Sequence, residues 1–236
     1  MMDRPESPPM PIVDVVIPAL DEEAALPAVL AEVPHFVRRV VVADNGSTDR
    51  TAEVARRAGA EVVHQPERGY GAACLAALCH IAADPPQIVV FLDGDHSDYP
   101  AEMDRLLTPI GTGEADLVIG SRASLAQRGA LTVQQRVGNW IACRALSVLY
   151  SARYTDLGPF RAITWTALSQ LQMADRDYGW TVEMQIKAAR CGLRHREVEV
   201  SYRPRIGESK VSGTLRGTLG ASHKILSLLG RHALSP

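Results

Sequence analysis

Short runs of apolar, mostly β-branched residues alternate with segments of helical character through the first half of the chain. The runs occupy residues 13–17, 40–43, 60–64, 87–92 and 115–120. Continuous apolar runs of this length are typical of strands that are covered on both faces, as in a parallel sheet. The alternation therefore predicts an α/β fold, in which helices flank a mostly parallel central sheet in a Rossmann-like arrangement.

Helices are predicted between these runs, at residues 22–33, 48–58, 71–83 and 100–107. After residue 120 the alternation stops. There the pattern predicts helices at 133–150, 180–190 and 215–229, a half-buried strand at 197–202 and irregular structure over 155–163. No linker-like composition separates the two halves, so we expect one domain over residues 12–236, preceded by a flexible tail at 1–11.

Composition excludes several classes of protein. The chain is 46% hydrophobic, which supports a core, and only 5% aromatic, which argues against a surface that stacks nucleic-acid bases. The four cysteines form no C-x-x-C pair, and they predict reduced thiols in the cytoplasm rather than disulfides or a zinc site. The polar N-terminus does not resemble a signal peptide, and no apolar stretch approaches the roughly 20 residues of a membrane-spanning helix.

Charge is distributed unevenly along the chain. The formal net charge is −2, yet from Lys187 onward ten Lys or Arg residues stand against three Asp or Glu residues. An acidic body can hold a metal cation, and a basic end can meet phosphate or an anionic membrane surface.

Polar residues that follow the predicted strands are candidates for a ligand site, because α/β sheets bind ligands beyond the carboxyl ends of their strands. Asp93 and Asp95 flank Gly94 after the fourth run, and two such carboxylates can reach one Mg²⁺ or Mn²⁺ ion and the phosphates that it binds. A solvated Asp-Gly turn is the alternative. Asp44, at the tip of the second run, can accept a hydrogen bond from the imino group of a base.

Two further segments have both a functional and a structural interpretation. Residues 68–73, RGYGAA, can meet phosphate or can simply begin a helix. Residues 203–210, RPRIGESK, place three cations in eight residues, which suits a diphosphate, although a solvated basic loop is equally consistent with the sequence.

Taken in order, eight motifs resemble the family 2 inverting glycosyltransferases with the GT-A fold. The resemblance is greatest to the dolichyl- and polyprenyl-phosphate mannose or glucose synthases, here without membrane helices. The motifs are VVIPALDEE, VVADNGSTDRT, RGYGAA, FLDGD, DLVIGSR, TDLGPFRAI, TVEMQIKA and RIGESK, and they cover about residues 12–212. The resemblance implies a nucleotide-binding half at 12–120, an acceptor half at 121–212 and a C-terminal amphipathic helix at 213–236.

The resemblance also implies roles for individual residues. The nucleotide would be bound by Pro18, Ala19, Leu20, Glu22, Asp44, Arg68 and Asp93. Asp93 and Asp95 would hold the metal. The acceptor or the diphosphate would be bound by Arg122, Arg136, Arg161, Arg205, Ser209 and Lys210. The candidate catalytic residues are Asp95, Asp156 and Glu183.

Two positions depart from the pattern of these relatives. Ser97 stands where they often have a glutamine that helps to hold the metal, which makes Asp98 a candidate substitute ligand. Leu157 and Pro159 stand where the lipid-phosphate enzymes tend to have small polar residues and glycine-phenylalanine. The sequence therefore leaves the identity of the acceptor open.

The implied activity is metal-dependent transfer of a hexose, with inversion, from a UDP- or GDP-sugar to polyprenyl phosphate at the inner face of the membrane. A phosphate acceptor needs no general base, whereas a hydroxyl acceptor needs one, with Glu183 and Asp156 as candidates. Two alternatives stay open: a soluble or lipid hydroxyl acceptor, and a nucleotide-sugar-binding protein without catalysis. The 215–229 segment can contact the membrane or can pack on the core.

Overall fold

The computed structural model describes residues 11–207. Over these residues, one sheet contains the strands β1 (Val13–Ala19), β2 (Arg39–Asp44), β3 (Glu61–His64), β4 (Ile88–Phe91), β5 (Leu117–Ser121), β6 (Arg161–Thr164) and β7 (His195–Glu199). The helices are α1 (Leu26–Ala31), α2 (Thr51–Arg57), α3 (Tyr70–Ile81), α4 (Met103–Gly111), α5 (Val133–Tyr150), α6 (Trp165–Leu171) and α7 (Trp180–Arg190), and a 3₁₀ turn spans Pro100–Glu102.

The strands lie in the order β3-β2-β1-β4-β6-β5-β7. All neighbouring pairs are parallel except those of β6, which runs antiparallel to both β4 and β5. The prediction of a mostly parallel sheet is confirmed. The prediction of irregular structure up to residue 163 is wrong at its end, because the short segment that begins at Arg161 fills the space between β4 and β5. Helix α6, which follows directly, was not predicted.

Helices cover both faces of the sheet, and side chains of successive strand residues enter opposite layers. Val16 belongs to the apolar cluster that contains residues of α3, α5, α6 and α7, on one face. Its neighbours Val15 and Ile17 belong to the cluster that contains residues of α1, α2 and α4, on the other. This alternation with a period of two explains why the central strands are apolar throughout.

Helix α1 is shorter than the pattern predicts and begins at Leu26 rather than at residue 22. The backbone N–H of Glu22 donates to Thr51 Oγ1 at 2.7 Å, and that of Glu23 donates to Asp49 Oδ2 at 3.1 Å. These amides are therefore bound by the loop after β2 and by the first residue of α2. The two loops at the carboxyl ends of β1 and β2 are consequently joined.

Several sequence-based expectations lie outside the described residues. They concern the tail at 1–10, the candidate ligands Ser209 and Lys210, and the helix at 215–229. Among residues 11–207, no helix combines the length and the hydrophobicity that crossing a bilayer requires.

Candidate functional site

A cavity of about 410 Å³ lies at the carboxyl ends of β1 and β4, beside the loops that follow β2 and β3. Eight of the predicted site residues line it: Pro18, Ala19, Leu20, Glu22, Arg68, Asp93, Asp95 and Arg205. The position agrees with the rule that α/β sheets bind ligands beyond their carboxyl ends.

Three carboxylates gather at one side of this cavity. Burial, and then the negative charge of Asp95, raise the pKa of Asp93 to about 6. Burial, and then the charges of Asp93 and Asp95, raise the pKa of Asp98 well above its usual value. Asp98 Oδ1 is buried and has no hydrogen-bond partner among the described residues. Burial and mutual repulsion therefore disfavour the ionised forms of Asp93 and Asp98, and a cation bound beside these carboxylates would favour the ionised forms.

The residues present fit a divalent cation that is completed by its substrate. Within the described part of the chain, no three His, Cys, Asp or Glu side chains form a ready-made metal site. Mg²⁺ is commonly bound through one or two carboxylates together with substrate phosphates, and hard oxygen ligands also suit Mn²⁺. Asp93 and Asp95, with Asp98 behind them, match this donor set.

The segment after β7 brings a cation to these carboxylates. Arg205 Nη1 lies 2.9 Å from Asp95 Oδ2. The segment is held along the loop after β4, because the backbone N–H of Ile206 donates to the carbonyl of Asp95 at 2.9 Å and that of Arg203 donates to the carbonyl of Ser97 at 3.0 Å. A guanidinium thus stands at the acidic edge of the cavity, where a diphosphate would need it.

Ser97, which stands where the relatives often have a glutamine, is hydrogen-bonded to Asp95. Its backbone N–H donates to Asp95 Oδ1 at 2.9 Å, and its hydroxyl donates to the same oxygen at 2.5 Å. The serine at this position therefore fixes the orientation of the Asp95 carboxylate, a candidate metal ligand.

The loop after β2 places one predicted residue and one unpredicted residue. Asp44 is 5% exposed, accepts from the backbone N–H of Ser47 at 3.1 Å and lies 3.2 Å from His64 Nδ1. It stands beside the cavity but is not part of its lining. The adjacent Asn45 is part of the lining, and its side-chain amide bonds to the backbone at Gln65, Glu67 and Gly69.

Within the RGYGAA motif, Gly71 and Ala72 bind another loop of the protein. The first amides of α3 are bound by carbonyls of the loop before α7: Gly71 N–H donates to Asp177 at 3.2 Å, and Ala72 N–H donates to Arg176 at 2.8 Å. A Cβ at Gly71 would lie 2.0 Å from the carbonyl oxygen of Asp175. The amides of Gly71 and Ala72 therefore already have hydrogen-bond partners within the protein. Because Gly71 has no side chain, the 175–177 loop can approach the helix closely.

Glu183 holds the same loop from the inside. It is 3% exposed, and its carboxylate accepts from the backbone N–H groups of Ala174 and Asp175 and pairs with Lys187 Nζ at 2.8 Å. The loop carries Tyr178 to the wall of the cavity. Glu183 is thus placed to orient the loop, and its two oxygens are engaged.

Arg122 and Asp156 form a buried, two-pronged ion pair. The guanidinium donates to both carboxylate oxygens at 2.7 Å, and the Arg122 backbone N–H adds a bond of 2.8 Å. Burial alone would raise the pKa of Asp156, but the charge and hydrogen bonds of Arg122 outweigh it and hold that pKa below its usual value. The structure pairs these two predicted site residues with each other, outside the lining of the cavity.

Arg161 and Arg136 also lie outside the cavity lining. Arg161 is fully buried, and it donates to the carbonyls of Leu157, Gly158 and Thr181. Burial lowers its pKa to about 10. It shapes the 157–158 turn from within, whereas Arg136 is exposed on α5.

Some lining residues were missed by reasoning from the sequence alone. Tyr70 donates from its hydroxyl to Asp93 Oδ1 at 3.1 Å, and Tyr178 lines the wall that Glu183 supports. Tyr70 stands within a motif that was noted for its glycines. The only available signal for Tyr178 was its position just before a predicted helix.

Comparison with known proteins identifies the family of the chain. The family model for Glycosyl transferase family 2 matches residues 14–157. An uncharacterized glycosyltransferase of Mycobacterium tuberculosis is 42% identical over 208 residues, which cover 88% of this chain and 93% of that protein. A dolichyl-phosphate hexose transferase of Haloferax volcanii is 36% identical, covering 84% and 85% of the two chains. An undecaprenyl-phosphate mannosyltransferase of Micrococcus luteus is 30% identical, covering 86% and 88%.

Among solved structures, the chain is similar to glucosyl-3-phosphoglycerate synthase from Mycobacterium tuberculosis. Its complex with Mn²⁺, UDP and glucosyl-3-phosphoglycerate matches with 25% identity and a TM-score of 0.76, covering 96% of this chain and 81% of that one. Its complex with Mn²⁺, UDP-glucose and phosphoglyceric acid matches with 26% identity, the same TM-score and the same coverage. The fold is accordingly GT-A-like, and the chain belongs to glycosyl transferase family 2.

Proposed function

We propose that this glycosyltransferase moves a hexose from a nucleoside diphosphate sugar to polyprenyl phosphate, with inversion at the anomeric carbon and with Mg²⁺ or Mn²⁺ bound. The donor half of the proposal is supported by the solved relatives that hold Mn²⁺ with UDP or UDP-glucose. The acceptor half is supported by the relatives that act on dolichyl and undecaprenyl phosphate.

On the donor side, the acidic cluster and the basic segment converge on one place. Asp93 and Asp95 would hold the cation, and Asp98 lies behind them, where its Oδ2 accepts from the backbone N–H of Asp93 at 3.4 Å. The cation would neutralise the charge that develops on the leaving diphosphate. Arg205 and Arg68 line the same cavity and can donate to diphosphate oxygens.

The state of the two candidate bases favours a phosphate acceptor, and this observation carries the proposal. Asp156 is bound by Arg122, and Glu183 is bound by Lys187 and two backbone amides. A hydroxyl acceptor needs a base within hydrogen-bond reach, whereas a phosphate oxygen is already a nucleophile. Within residues 11–207, both carboxylates proposed for that task are engaged elsewhere.

A soluble, phosphorylated hydroxy acid is the second candidate acceptor. The observation that favours it is the likeness to the synthase structures that contain phosphoglyceric acid. The donor chemistry would be the same, and the transfer would then need a carboxylate other than Asp156 or Glu183.

Thermal shift with a nucleotide panel tests the donor. We expect UDP or GDP to raise the melting temperature only with Mn²⁺ present, since a ligand bound to the native state at a hundredfold excess over Kd adds about 2.7 kcal/mol. Asp95→Ala should abolish this shift, and Asp104→Ala, an exposed acid on α4, should keep it. No shift with any nucleotide would contradict the donor assignment.

Transfer of radiolabelled hexose tests the acceptor. Label should enter the organic phase with polyprenyl phosphate and should stay absent from phosphoglycerate. Label on phosphoglycerate and none on polyprenyl phosphate would establish the second candidate acceptor. A thermal shift by nucleotides without transfer of hexose to either acceptor would favour a nucleotide-sugar-binding protein.

A further inference from the structure

Helix α5 has apolar side chains on its solvent side as well as on its core side. Ala142, Cys143 and Leu146 are buried in the core. The opposite side, named here the outer face of α5, consists of side chains that are each at least 45% exposed: Val133, Val137, Trp140, Ile141 and Val148. Their spacing places them on one stripe, and a helix that is apolar all round is normally covered. The outer face therefore calls for a partner.

The charged residues of α5 itself, Arg136 and Arg144, are both positive. Arg136 and Arg144 are exposed on the same helix, and Arg144 falls one turn after Trp140 and one turn before Val148, within the stripe. The sequence between Arg122 and Thr155 contains no Asp or Glu. A tryptophan among aliphatic and arginine side chains is the composition of helices that lie in the interface of an anionic bilayer.

Charge favours a bilayer over the two partners that the chain itself could supply for this face, namely a second copy of the chain and residues 208–236. A second copy in a two-fold contact would bring the same basic stripe against itself. Residues 208–236 contain Lys210, Arg216, Lys224 and Arg231 against a single acid, Glu208, so they would also bring like charge. An anionic lipid surface offers apolar contact and opposite charge together.

We propose that the outer face of α5 docks the enzyme onto an anionic bilayer. Helix α5 is joined to the acceptor side of the site, because Asn139 Nδ2 donates to the carbonyl of Thr155 at 2.9 Å and Asn139 Oδ1 accepts from the N–H of Leu157 at 2.8 Å. Asp156, which pairs with Arg122, lies between these two anchor residues in the sequence. Docking would hold this turn beside the lipid headgroups. That consequence rests on the proposed polyprenyl-phosphate acceptor, whereas the docking itself does not.

Vesicle flotation of the full chain tests the docking. We expect the wild type to float with vesicles of phosphatidylcholine and phosphatidylglycerol and to stay in solution with phosphatidylcholine alone. Val137→Asp/Trp140→Asp should reduce the bound fraction by about tenfold or more, since two apolar contacts become charges at the interface. Ile12→Asp, an exposed apolar residue far from α5 in the sequence, is the matched control and should float like the wild type.

Fluorescence gives a second readout that does not depend on a disruptive variant. Trp140 is 67% exposed and Trp180 is 1% exposed, so entry of α5 into the bilayer should shift the emission to shorter wavelength. The shift should disappear in Trp140→Phe.

Three results would overturn the proposal: a wild type that does not bind anionic vesicles, a double variant that floats like the wild type, or a dimer in solution that the double variant dissociates. The first and the third remove the membrane as the partner, and the second assigns docking to another surface.

Transfer to a short-chain, water-dispersed prenyl phosphate separates this proposal from the proposed function. The double variant should retain that activity within about twofold, because its substitutions are at exposed side chains that do not line the cavity. If vesicle docking is intact but no prenyl phosphate is glycosylated, the acceptor assignment fails and the docking stands.

Discussion

Arg205 Nη1 lies 2.9 Å from Asp95 Oδ2, so the first cationic partner of this metal-ligand candidate is supplied by the chain itself. Arg205 and a divalent cation both neutralise Asp95, and a bound diphosphate gives the guanidinium an alternative partner. The ion pair therefore links the basic segment after β7 to the loading of the donor site.

From this pair we predict opposite effects of Arg205→Ala on two ligands. Affinity for Mn²⁺ alone should rise several-fold, because the competing cation is removed from Asp95. Affinity for UDP in saturating Mn²⁺ should fall by roughly 10- to 100-fold, the effect of losing one charge-assisted hydrogen bond of about 1.5–3 kcal/mol. Isothermal titration calorimetry measures both.

Arg68→Ala is the matched control for this prediction. Arg68 lines the same cavity but donates to the carbonyl of Gly46 at 3.0 Å. Its removal should lower UDP affinity without raising Mn²⁺ affinity. Identical behaviour of the two variants would show that the Arg205–Asp95 pair has no special part in ligand loading.

The Arg122–Asp156 pair predicts strong coupling in a double-mutant cycle. Arg122→Ala leaves a buried carboxylate without its partner, which should lower the free energy of unfolding by about 3–5 kcal/mol. Arg122→Ala/Asp156→Asn should cost less than the sum of the two single changes, because the unpaired charge is then absent. Urea denaturation at neutral pH measures all four proteins, and additive values would contradict the coupling.

The same pair predicts a dependence of stability on pH. The pKa of Asp156 in the folded protein lies below the ordinary value of 3.8, so the folded state favours the ionised form. The stabilisation is complete above that ordinary value and is lost as pH falls towards the lower, folded-state pKa. Asp156→Asn should therefore lose less stability than the wild type between pH 5 and the acid limit of about pH 2. Parallel acid titrations of the two proteins, followed by circular dichroism, check this difference.

Two variants of Glu183 distinguish a positioning role of this residue from a catalytic one. Glu183→Gln keeps an oxygen that can accept from Ala174 and Asp175, so kcat/KM should stay within about tenfold of the wild type, whereas loss of a general base costs about 10²–10⁴-fold. Glu183→Ala leaves two amides unsatisfied and should destabilise the protein by about 1–3 kcal/mol per amide. Steady-state kinetics and thermal unfolding of both variants test this. A Gln variant that folds normally but loses a thousandfold in kcat would restore Glu183 as a catalytic candidate.

The sequence predicted most of the fold because its signals were local. The β-branched runs of β1, β2 and β4 are long enough to be read as buried strands, and their order along the chain places their carboxyl ends together. Strand β6 begins with the charged Arg161 and contains a single β-branched apolar residue, Ile163, so the sequence has no local signal for it. Its place in the sheet depends on pairing with β4 and β5.

The candidate site likewise combines residues that a local pattern identified with contacts that form only when distant segments meet. Asp93 and Asp95 were identified because a strand end places them. The partners of Arg122 and Glu183 could not be identified, since Asp156 and the 174–175 backbone meet them only after the chain has folded. The RGYGAA segment was interpreted as a possible phosphate contact, yet the amides of Gly71 and Ala72 are bound by a loop about a hundred residues later in the sequence, and that of Gly69 by Asn45. No local pattern encodes these contacts.

That long-range contact gives the last prediction. A Cβ at Gly71 would lie 2.0 Å from the carbonyl oxygen of Asp175, whereas a Cβ at Gly138 on α5 would meet nothing within 4 Å. Both glycines are helical. Gly71→Ala should therefore destabilise the protein by about 1–3 kcal/mol through overpacking, and Gly138→Ala should be neutral or should stabilise it by up to about 1 kcal/mol.

The two variants should also differ in donor binding. Displacing the 175–177 loop moves Tyr178 in the cavity wall, so Gly71→Ala should raise the KM for the donor sugar, and Gly138→Ala should leave it unchanged. Thermal unfolding and steady-state kinetics of the pair are the measurements. Equal stability and equal KM in the two variants would mean that the loop yields to the added methyl group without cost, and that the close approach of the loop to α3 does not shape the donor site.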